Sequence, residues 1–253
     1  MASTSVGTST QSIFVSGRYA YTANASGTIS IVDVSNVKLP HEVSRLALTG
    51  KPSSIYVSGR YAYITTGSSS TISVIDVSNP LTPVRIVNMF VSGTPQSIFV
   101  SGRYAYTANA SNTISVIDLS NPSAPVQVAT TSIPGAGWSI YVSGRYAYVS
   151  NGTHNVAVVD ISNARAPLQV SSVNTGCCES FPSSIFVSGR YAFTSNYDAH
   201  DISVIDVASS TSLVKFPNIG IATPQGPGPR AIYVSGRYAY TANYDQDYIS
   251  IID

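Results

Sequence analysis

Charged residues are scarce in this sequence. Only 10% of its 253 residues are Asp, Glu, Lys or Arg, and the formal net charge is +1. A nucleic-acid-binding protein needs a footprint of clustered basic residues. Six of the ten arginines here are spread at regular intervals along the chain and cannot form one patch: Arg18, Arg60, Arg103, Arg145, Arg190 and Arg237. The composition therefore argues against a nucleic acid as partner.

Long apolar runs are also missing. No stretch reaches the roughly 18 consecutive apolar residues that a membrane-spanning helix needs, so we expect no membrane insertion. Residues 1–10 are polar and lack the apolar core of a signal peptide. The protein is then either cytoplasmic or a chain whose signal has been removed. The low charge and the abundance of Ser, Thr, Asn and Tyr favour a secreted or cell-surface protein.

Cysteine is limited to one adjacent pair, Cys177 and Cys178. Neighbouring Cα atoms are about 3.8 Å apart, which is shorter than an ordinary disulfide prefers. The pair is therefore either two thiols or a strained vicinal disulfide, and neither form can join distant segments. We expect the vicinal disulfide if the protein is secreted.

A repeat takes the place of helical patterning. No segment sustains an apolar period of about 3.6 residues, so almost no helix is expected. The ten residues 12–21 return five more times with nearly the same letters. The glycines of the six copies are separated by 42, 43, 42, 45 and 47 residues: Gly17, Gly59, Gly102, Gly144, Gly189 and Gly236. A period near 40 residues is typical of proteins built from stacked repeats.

Each repeat predicts four short antiparallel strands. In the third copy, residues 97–101, 104–108, 113–118 and 125–132 have strand character and are separated by Gly, Asn, Ser and Pro. Four such strands form one propeller blade, whose two faces are covered by neighbouring blades. We therefore predict an all-β fold, a single six-bladed β-propeller of four-stranded blades. The blades are expected at about 11–49, 53–93, 96–135, 138–175, 183–221 and 230–253 plus 1–8.

The two chain ends complement each other. Residues 2–6 align with the fourth strand of the third repeat, residues 129–133, whereas the last repeat stops after its third strand. Adding residues 2–7 beside residues 248–253 would complete the last blade and remove an exposed strand edge. We expect this N-terminal strand to close the propeller.

The repeated stretches resemble a known family. Tyr-Ala-Tyr-Thr-Ala-Asn and Ser-Val-Ile-Asp-Val-Ser-Asn-Pro are similar to the LVIVD-repeat proteins, relatives of the YVTN-type propellers. The resemblance covers essentially the whole chain. It implies a β-propeller, often from a secreted or surface protein of bacteria. It implies no defined activity and no catalytic residues.

One aspartate closes the third strand of every repeat. Metal binding or acid–base chemistry is one interpretation of these residues. The other is that each carboxylate accepts backbone N–H groups in the following turn or pairs with the Arg or Tyr of its blade. Six copies favour the structural interpretation, because one active site does not need six. The residues are Asp33, Asp76, Asp118, Asp160, Asp206 and Asp253.

Other acidic residues and histidines lie between the second and third strands of the later repeats. They are candidates for a metal site, either a His/Asp site or an oxygen-ligand Ca²⁺ site. Their spacing matches no EF-hand, and solvated loop side chains are the favoured interpretation. We therefore expect no cofactor, with Ca²⁺ as the alternative. The candidates are His154, Asp198, His200, Asp201, Asp245 and Asp247.

One position varies on an otherwise constant scaffold. It precedes the Ser that begins the inner strand in five copies, and it is occupied in turn by Gln11, Ser53, Gln96, Trp138, Ser183 and Arg230. Trp offers a flat apolar surface and Arg a planar fork for a carboxylate or sugar hydroxyl. We expect Gln11, Gln96, Trp138 and Arg230 to bind a ligand together with Tyr197 and Tyr244 in neighbouring loops. The alternative is that Trp138 only fills a hole.

Three functions are compatible with this pattern. The favoured one is a non-enzymatic binding or scaffold module that presents a loop-rich top face to a protein, a glycan or a small ligand. The second is a metal-dependent hydrolase or lyase with its site at the top of a central channel. The third is a purely structural repeat, recently amplified or engineered, without a ligand. The scarcity of His argues against the enzyme, and we expect a monomer.

Overall fold

The computed structural model describes residues 3–176, 181–221, 228–244 and 248–253. Twenty-four strands and a single 3-10 turn, Gly67–Ser69, are the regular elements of these ranges. The predicted all-β fold with almost no helix is confirmed. No helical segment in the described part of the chain has the length and hydrophobicity that a membrane crossing requires.

Six antiparallel sheets follow one another along the chain, and each corresponds to one predicted blade. The strands of blades one to three are β1 (Thr10–Ser16), β2 (Tyr19–Asn24), β3 (Thr28–Asp33), β4 (His41–Ala47), β5 (Ser54–Ser58), β6 (Tyr61–Thr66), β7 (Thr71–Asp76), β8 (Val84–Phe90), β9 (Pro95–Ser101), β10 (Tyr104–Asn109), β11 (Thr113–Asp118) and β12 (Val126–Ser132). Those of blades four to six are β13 (Gly137–Ser143), β14 (Tyr146–Asn151), β15 (Asn155–Asp160), β16 (Leu168–Asn174), β17 (Pro182–Ser188), β18 (Tyr191–Asn196), β19 (Asp201–Asp206), β20 (Val214–Lys215), β21 (Ile219–Gly220), β22 (Pro229–Ser235), β23 (Tyr238–Asn243) and β24 (Tyr248–Ile252).

The blades are distributed over two compact units. One is Met1–Asn109 with Ser115–Val128, and the other is Ala110–Ile114 with Ala129–Asp253. Blades one and two lie in the first unit, and blades four to six lie in the second. In each blade, the lower end is the end with the Ser-Gly-Arg turn, and the upper end is the opposite one. Because the strands alternate in direction, the turns after the second strand and the connections to the next blade lie at the upper end.

The turn between the first and second strands depends on glycine. Gly102 has φ = 58°, in the left-handed region. A Cβ placed on Gly102 would meet no heavy atom within 4 Å, so the backbone conformation and not crowding selects glycine there. The repeat Ser-Gly-Arg is therefore fixed by turn geometry.

The aspartate at the end of the third strand ties the lower end of each blade together. Asp76 accepts the backbone N–H of Ser78 at 2.9 Å and is ion-paired with Arg60. The guanidinium carbon of Arg60 lies 5.3 Å from the centre of the Tyr61 ring. The hydrogen bond from Arg60 is the largest cause that lowers the pKa of Asp76 to about 2. The same Arg–Asp pair occurs in all six blades, so the structural interpretation of the repeat aspartates is confirmed.

Neighbouring blades pack a tyrosine-bearing face on an alanine-bearing face. In the first unit, Tyr21 and Ile31 of blade one share a buried cluster with Ile55 and Ala62 of blade two. The backbone N–H of Ile55 also donates to Oγ of Ser12 at 3.3 Å. These contacts explain why both faces of a blade are apolar, and why the inner strand keeps its serine.

The outer strand of blade five is interrupted. It consists of two short pieces, β20 and β21, which both pair with β19. Pro217 lies between them and has no N–H to donate to the sheet. The long connection to blade six begins after β21.

Blade six has three strands in the described residues, in the order β22-β23-β24. Residues 3–9 form no strand in the structure. Within this segment, Gly7 donates its backbone N–H to Oγ of Ser30 in blade one at 3.4 Å. A Cβ at Gly7 would lie 2.7 Å from Nδ2 of Asn24, so the approach is close. The completion of blade six by the N-terminal segment stays a prediction.

Candidate functional site

The variable position predicted to bind a ligand lies at a break in strand pairing. In blade four, Gly137 pairs with Asn151 and Ser139 pairs with Ser150, so Trp138 between them is left unpaired. The same shift of register leaves out Gln11, Gln96, Ser183 and Arg230. A bulge of this kind takes the extra residue out of the regular alternation of the strand and redirects its side chain. This explains why the position varies while the pairs around it stay constant.

Two of the residues at the variable position form hydrogen bonds to the next blade. Oγ of Ser53 lies 3.0 Å from Oγ1 of Thr65 and donates to the carbonyl of Pro95 in the next blade at 3.1 Å. Ser183 makes the equivalent bond to the carbonyl of Pro229, also at 3.1 Å. Both serines thus link neighbouring blades, and the larger residues at this position are the better ligand candidates.

In the first unit, the variable residues line a shallow groove. Gln11, Ser53 and Gln96 surround it together with Lys51 and Thr94, and its volume is about 260 Å³. Nε2 of Gln11 donates to the carbonyl of Ser9 at 3.1 Å, and Nε2 of Gln96 donates to that of Thr94 at 3.4 Å. Among the described residues, neither carboxamide oxygen accepts a hydrogen bond. The groove therefore offers two amide acceptors and one lysine.

In the second unit, Trp138 keeps 43% of its surface exposed. A Cβ at Gly152 would lie 3.4 Å from Nε1 of the indole, so the ring packs along the backbone of the neighbouring turn. The N–H of Gly152 donates to the carbonyl of Ala136 at 2.8 Å, which holds this turn against the start of the strand. Trp138 is thus supported from one side and accessible from the other.

Arg230 lies beside two tyrosine rings. Its guanidinium carbon is 4.6 Å from the ring centre of Tyr244 and 6.0 Å from that of Tyr197, and the two ring centres are 6.1 Å apart. Within the described residues Arg230 makes no ion pair, whereas all six repeat arginines do. The predicted association of Arg230, Tyr197 and Tyr244 is therefore present, and it forms a cationic group on an aromatic base.

Gly228 holds this group together and was not singled out from the sequence. Its N–H donates to the carbonyl of Tyr197 at 2.9 Å, and its carbonyl accepts the N–H of Tyr244 at 3.3 Å. A Cβ at Gly228 would lie only 2.2 Å from the carbonyl oxygen of Tyr197, so only glycine fits. The signal in the sequence was the Gly- and Pro-rich connection at residues 220–230, whose contacts depend on tertiary structure.

Two of the candidate metal residues make other contacts in the structure. The two carboxylate oxygens of Asp201, which is buried, accept hydrogen bonds from the side-chain amides of Asn196 at 2.6 Å and Asn218 at 2.8 Å. The ring of His154 stacks on Phe181 at 5.2 Å. Among the residues that the structure describes, no three His, Cys, Asp or Glu side chains are arranged to hold a metal ion.

Four of the predicted residues lie outside the described ranges. Asp245 and Asp247 belong to the calcium alternative, which stays a prediction together with the roles of Asp198 and His200. Cys177 and Cys178 are also outside, and their vicinal disulfide stays a prediction. The intact mass after alkylation without a reductant measures it, because two alkylated thiols would exclude the disulfide.

Solved structures of the same fold are numerous, and their sequences are distant. A protein from Lactobacillus plantarum is 14% identical, with a TM-score of 0.84 over 96% of this chain and 80% of that one. The periplasmic gluconolactonase of Pseudomonas aeruginosa is 17% identical, with a TM-score of 0.83 over 95% of this chain and 80% of that one. A functionally unknown protein from Desulfotomaculum acetoxidans is 12% identical, with a TM-score of 0.82 over 97% and 83%. These similarities establish the β-propeller fold alone. The comparison with curated protein sequences gives no match.

The repeat itself identifies the family. The LVIVD repeat is matched at residues 7–47, 49–89, 92–131, 134–175 and 229–253. The matched segments cover most of the chain and coincide with five of the six blades. The repeat between them, in blade five, has the interrupted outer strand and lacks the Ser-Asn turn of the first four copies. The chain therefore belongs to the LVIVD-repeat family of β-propellers.

Proposed function

We propose that this chain is a non-enzymatic binding module whose ligand contacts the upper ends of the blades. The observation that carries the proposal is the bulge at the start of the inner strand. In five of the six blades it leaves one residue out of the pairing that fixes its neighbours. Binding residues are commonly held in this way by a rigid scaffold.

The residues of the second unit favour a sugar acid as ligand. The exposed indole of Trp138 suits the apolar face of a pyranose ring, and the guanidinium of Arg230 suits a carboxylate. Tyr197 and Tyr244 lie beside Arg230 and add hydroxyl groups that can bind sugar hydroxyls. Most of this surface is uncharged, which fits a glycan better than a strongly charged polymer. The proposed ligand class is therefore a carbohydrate that carries carboxylate groups.

The experiment compares an acidic glycan with its neutral form. Titration calorimetry would measure the binding of oligogalacturonate and of its methyl-esterified counterpart. Arg230→Ala removes a charge-assisted hydrogen bond worth about 1.5–3 kcal/mol, so it should weaken binding of the acid about 10- to 150-fold. Trp138→Ala removes an aromatic contact worth about 0.5–1.5 kcal/mol and should weaken both ligands about 2- to 10-fold.

Matched controls are available at the lower end of the same unit. Arg165 is exposed in the turn after β15, and Leu168 is 64% exposed at the start of β16. Arg165→Ala and Leu168→Ala make the same kinds of change away from the proposed site and should leave the affinity unaltered. A loss of binding in these controls, with full binding in the two test variants, would mean that the lower end is the binding face.

A hydrolase of sugar lactones is the second candidate. It rests on the fold shared with the gluconolactonase from Pseudomonas aeruginosa, and the activity in that name belongs to that protein. The assay follows the opening of gluconolactone above its uncatalysed rate, before and after treatment with a chelator, with metal analysis of the purified chain. Chelator-sensitive turnover would replace the binding proposal. Neither turnover nor binding of either glycan would favour the purely structural alternative.

A further inference from the structure

Phe181 occupies a second variable position at the upper end of the second unit. It lies two residues before the variable residue of blade five, where blades four and six have alanine and glycine. The backbone of this position is fixed in all three blades, because its carbonyl accepts the N–H of the residue that follows the second strand. The donors are Gly152 at 2.8 Å, Tyr197 at 3.3 Å and Tyr244 at 3.3 Å. These bonds use backbone atoms only, so the side chain can vary, and Phe181 is 42% exposed.

A histidine ring supports the ring of Phe181. The ring centres of Phe181 and His154 are 5.2 Å apart, and their planes are inclined by 12°. His154 is itself fixed, since its carbonyl accepts the backbone N–H of Thr175 at 2.8 Å and the hydroxyl of Thr175 at 3.0 Å. A ring that is held in place before a ligand arrives loses little freedom on binding. Phe181 therefore has the properties of a preformed binding surface.

Phe181 links the two groups of candidate residues in this unit. His154 belongs to the same turn that supports the indole of Trp138. On its other side, the carbonyl of Phe181 holds Tyr197, whose ring centre is 6.1 Å from that of Tyr244. Trp138, Phe181 and Tyr244 are 43%, 42% and 44% exposed, so blades four, five and six each have one accessible aromatic ring at the upper end.

Trp138 leaves a buried hydroxyl of blade four without its hydrogen bond. In blade five the variable position is a serine, and Oγ of Ser183 lies 3.0 Å from Oγ of Ser195. The residue equivalent to Ser195 in blade four is Ser150. Its hydroxyl is completely buried and has no hydrogen-bond partner among the residues that the structure describes, which is unfavourable. A residue that only filled a hole would not need this loss, so ligand binding explains Trp138 better than packing does.

We propose that blades four to six carry three consecutive sugar-binding subsites, so that the ligand is a linear chain of at least three sugar units. The inference rests on the proposed function and extends the same site from one sugar to a chain. Trp138 stacks on the first ring, Phe181 on the middle ring and Tyr244 on the third, whose carboxylate pairs with Arg230. Contacts within one molecule reinforce each other, because the second and third rings are delivered by the first.

Titration calorimetry with galacturonate of one and of three units tests the row of subsites. Each added aromatic contact is worth about 2- to 10-fold in affinity, so the trimer should bind about 4- to 100-fold more tightly than the single sugar acid. Phe181→Ala should weaken the trimer about 2- to 10-fold and leave the single sugar unchanged, since the latter binds at Arg230 alone. Phe181→Trp keeps an aromatic face and should bind the trimer as the unaltered chain does.

Phe216→Ala is the matched control. Phe216 is 40% exposed and packs on Tyr191, the first residue of β18, at the lower end of blade five, with ring centres 6.1 Å apart. The substitution removes a ring of the same kind and exposure away from the proposed subsites, so the affinity for the trimer should stay unaltered. Circular dichroism of each variant confirms that it is folded.

Different results overturn this inference and the proposed function. Equal affinity for one and three units would overturn the row of subsites and leave the binding of a sugar acid intact. Equal weakening of both ligands by Phe181→Ala would also overturn it, because Phe181 would then not contact a second ring. A methyl-esterified trimer that binds as tightly as the acid, with no effect of Arg230→Ala, would support the row and contradict the acidic ligand. No binding of any of these sugars would overturn both.

Discussion

Replacing Ile55 and Ile13 by alanine measures how much one blade junction contributes to stability. The two isoleucines occupy the same position of neighbouring repeats, but Ile55 is 3% exposed and Ile13 is 61% exposed. The substitution removes three carbon atoms, worth about 2.4 kcal/mol when they are fully buried. A cavity among the residues around Ile55 raises the cost, so Ile55→Ala should lower the free energy of unfolding by about 3–4 kcal/mol.

Replacing the exposed Ile13 should lower the free energy of unfolding much less. Folding removes only about two-fifths of the surface of Ile13 from water, so Ile13→Ala should cost about 1 kcal/mol and leave no cavity. For a chain of this size the melting temperature should fall by about 2–4 °C for Ile13→Ala, and by about 10 °C for Ile55→Ala.

Thermal melting followed by circular dichroism at low protein concentration is the assay. Equal losses for the two variants would refute the reasoning, since they would mean that the repeats of blades one and two have the same surroundings. A small fall in melting temperature for both variants would mean that the buried cluster around Ile55 contributes little to stability.

Three further predictions concern the repeat and the chain end. Asp76 has a folded-state pKa of about 2, below its ordinary value of 3.8, so its ion pair stabilises the fold fully above about pH 4. That contribution should be lost as the pH falls through about 2, and an NMR titration of the carboxyl group should move toward the ordinary value in Arg60→Ala. Gly102→Ala should cost about 1 kcal/mol because of its positive φ, whereas Gly102→Asn should cost less; equal melting temperatures for the two would contradict this explanation. Deleting residues 1–8 removes the contact of Gly7 with Ser30 and should lower the melting temperature, and an unchanged melting curve would mean that this segment adds nothing to stability.

The repeat pattern determined the architecture. Alternating apolar residues, Ser-Gly turns and prolines recur at each copy, and local chemistry of this kind is enough to predict strands and turns without tertiary information. The roles of the repeat aspartates could be predicted for the same reason, because Asp76, Ser78 and Arg60 are close in sequence or joined by one hairpin. The sequence also indicated the variable position that holds Trp138 and Arg230.

Only the tertiary structure decided what that position is and which faces are covered. The bulge that releases Trp138 depends on the pairing of β13 with β14, which no single strand reveals. Gly228 brings Tyr197 and Tyr244 beside Arg230 through backbone contacts between segments about 15 to 30 residues apart. Ile13 and Ile55 stand at the same position of neighbouring repeats, yet one is exposed and the other is buried. Burial depends on which residues lie against a face, and the repeat sequence specifies the face of each blade without specifying those residues.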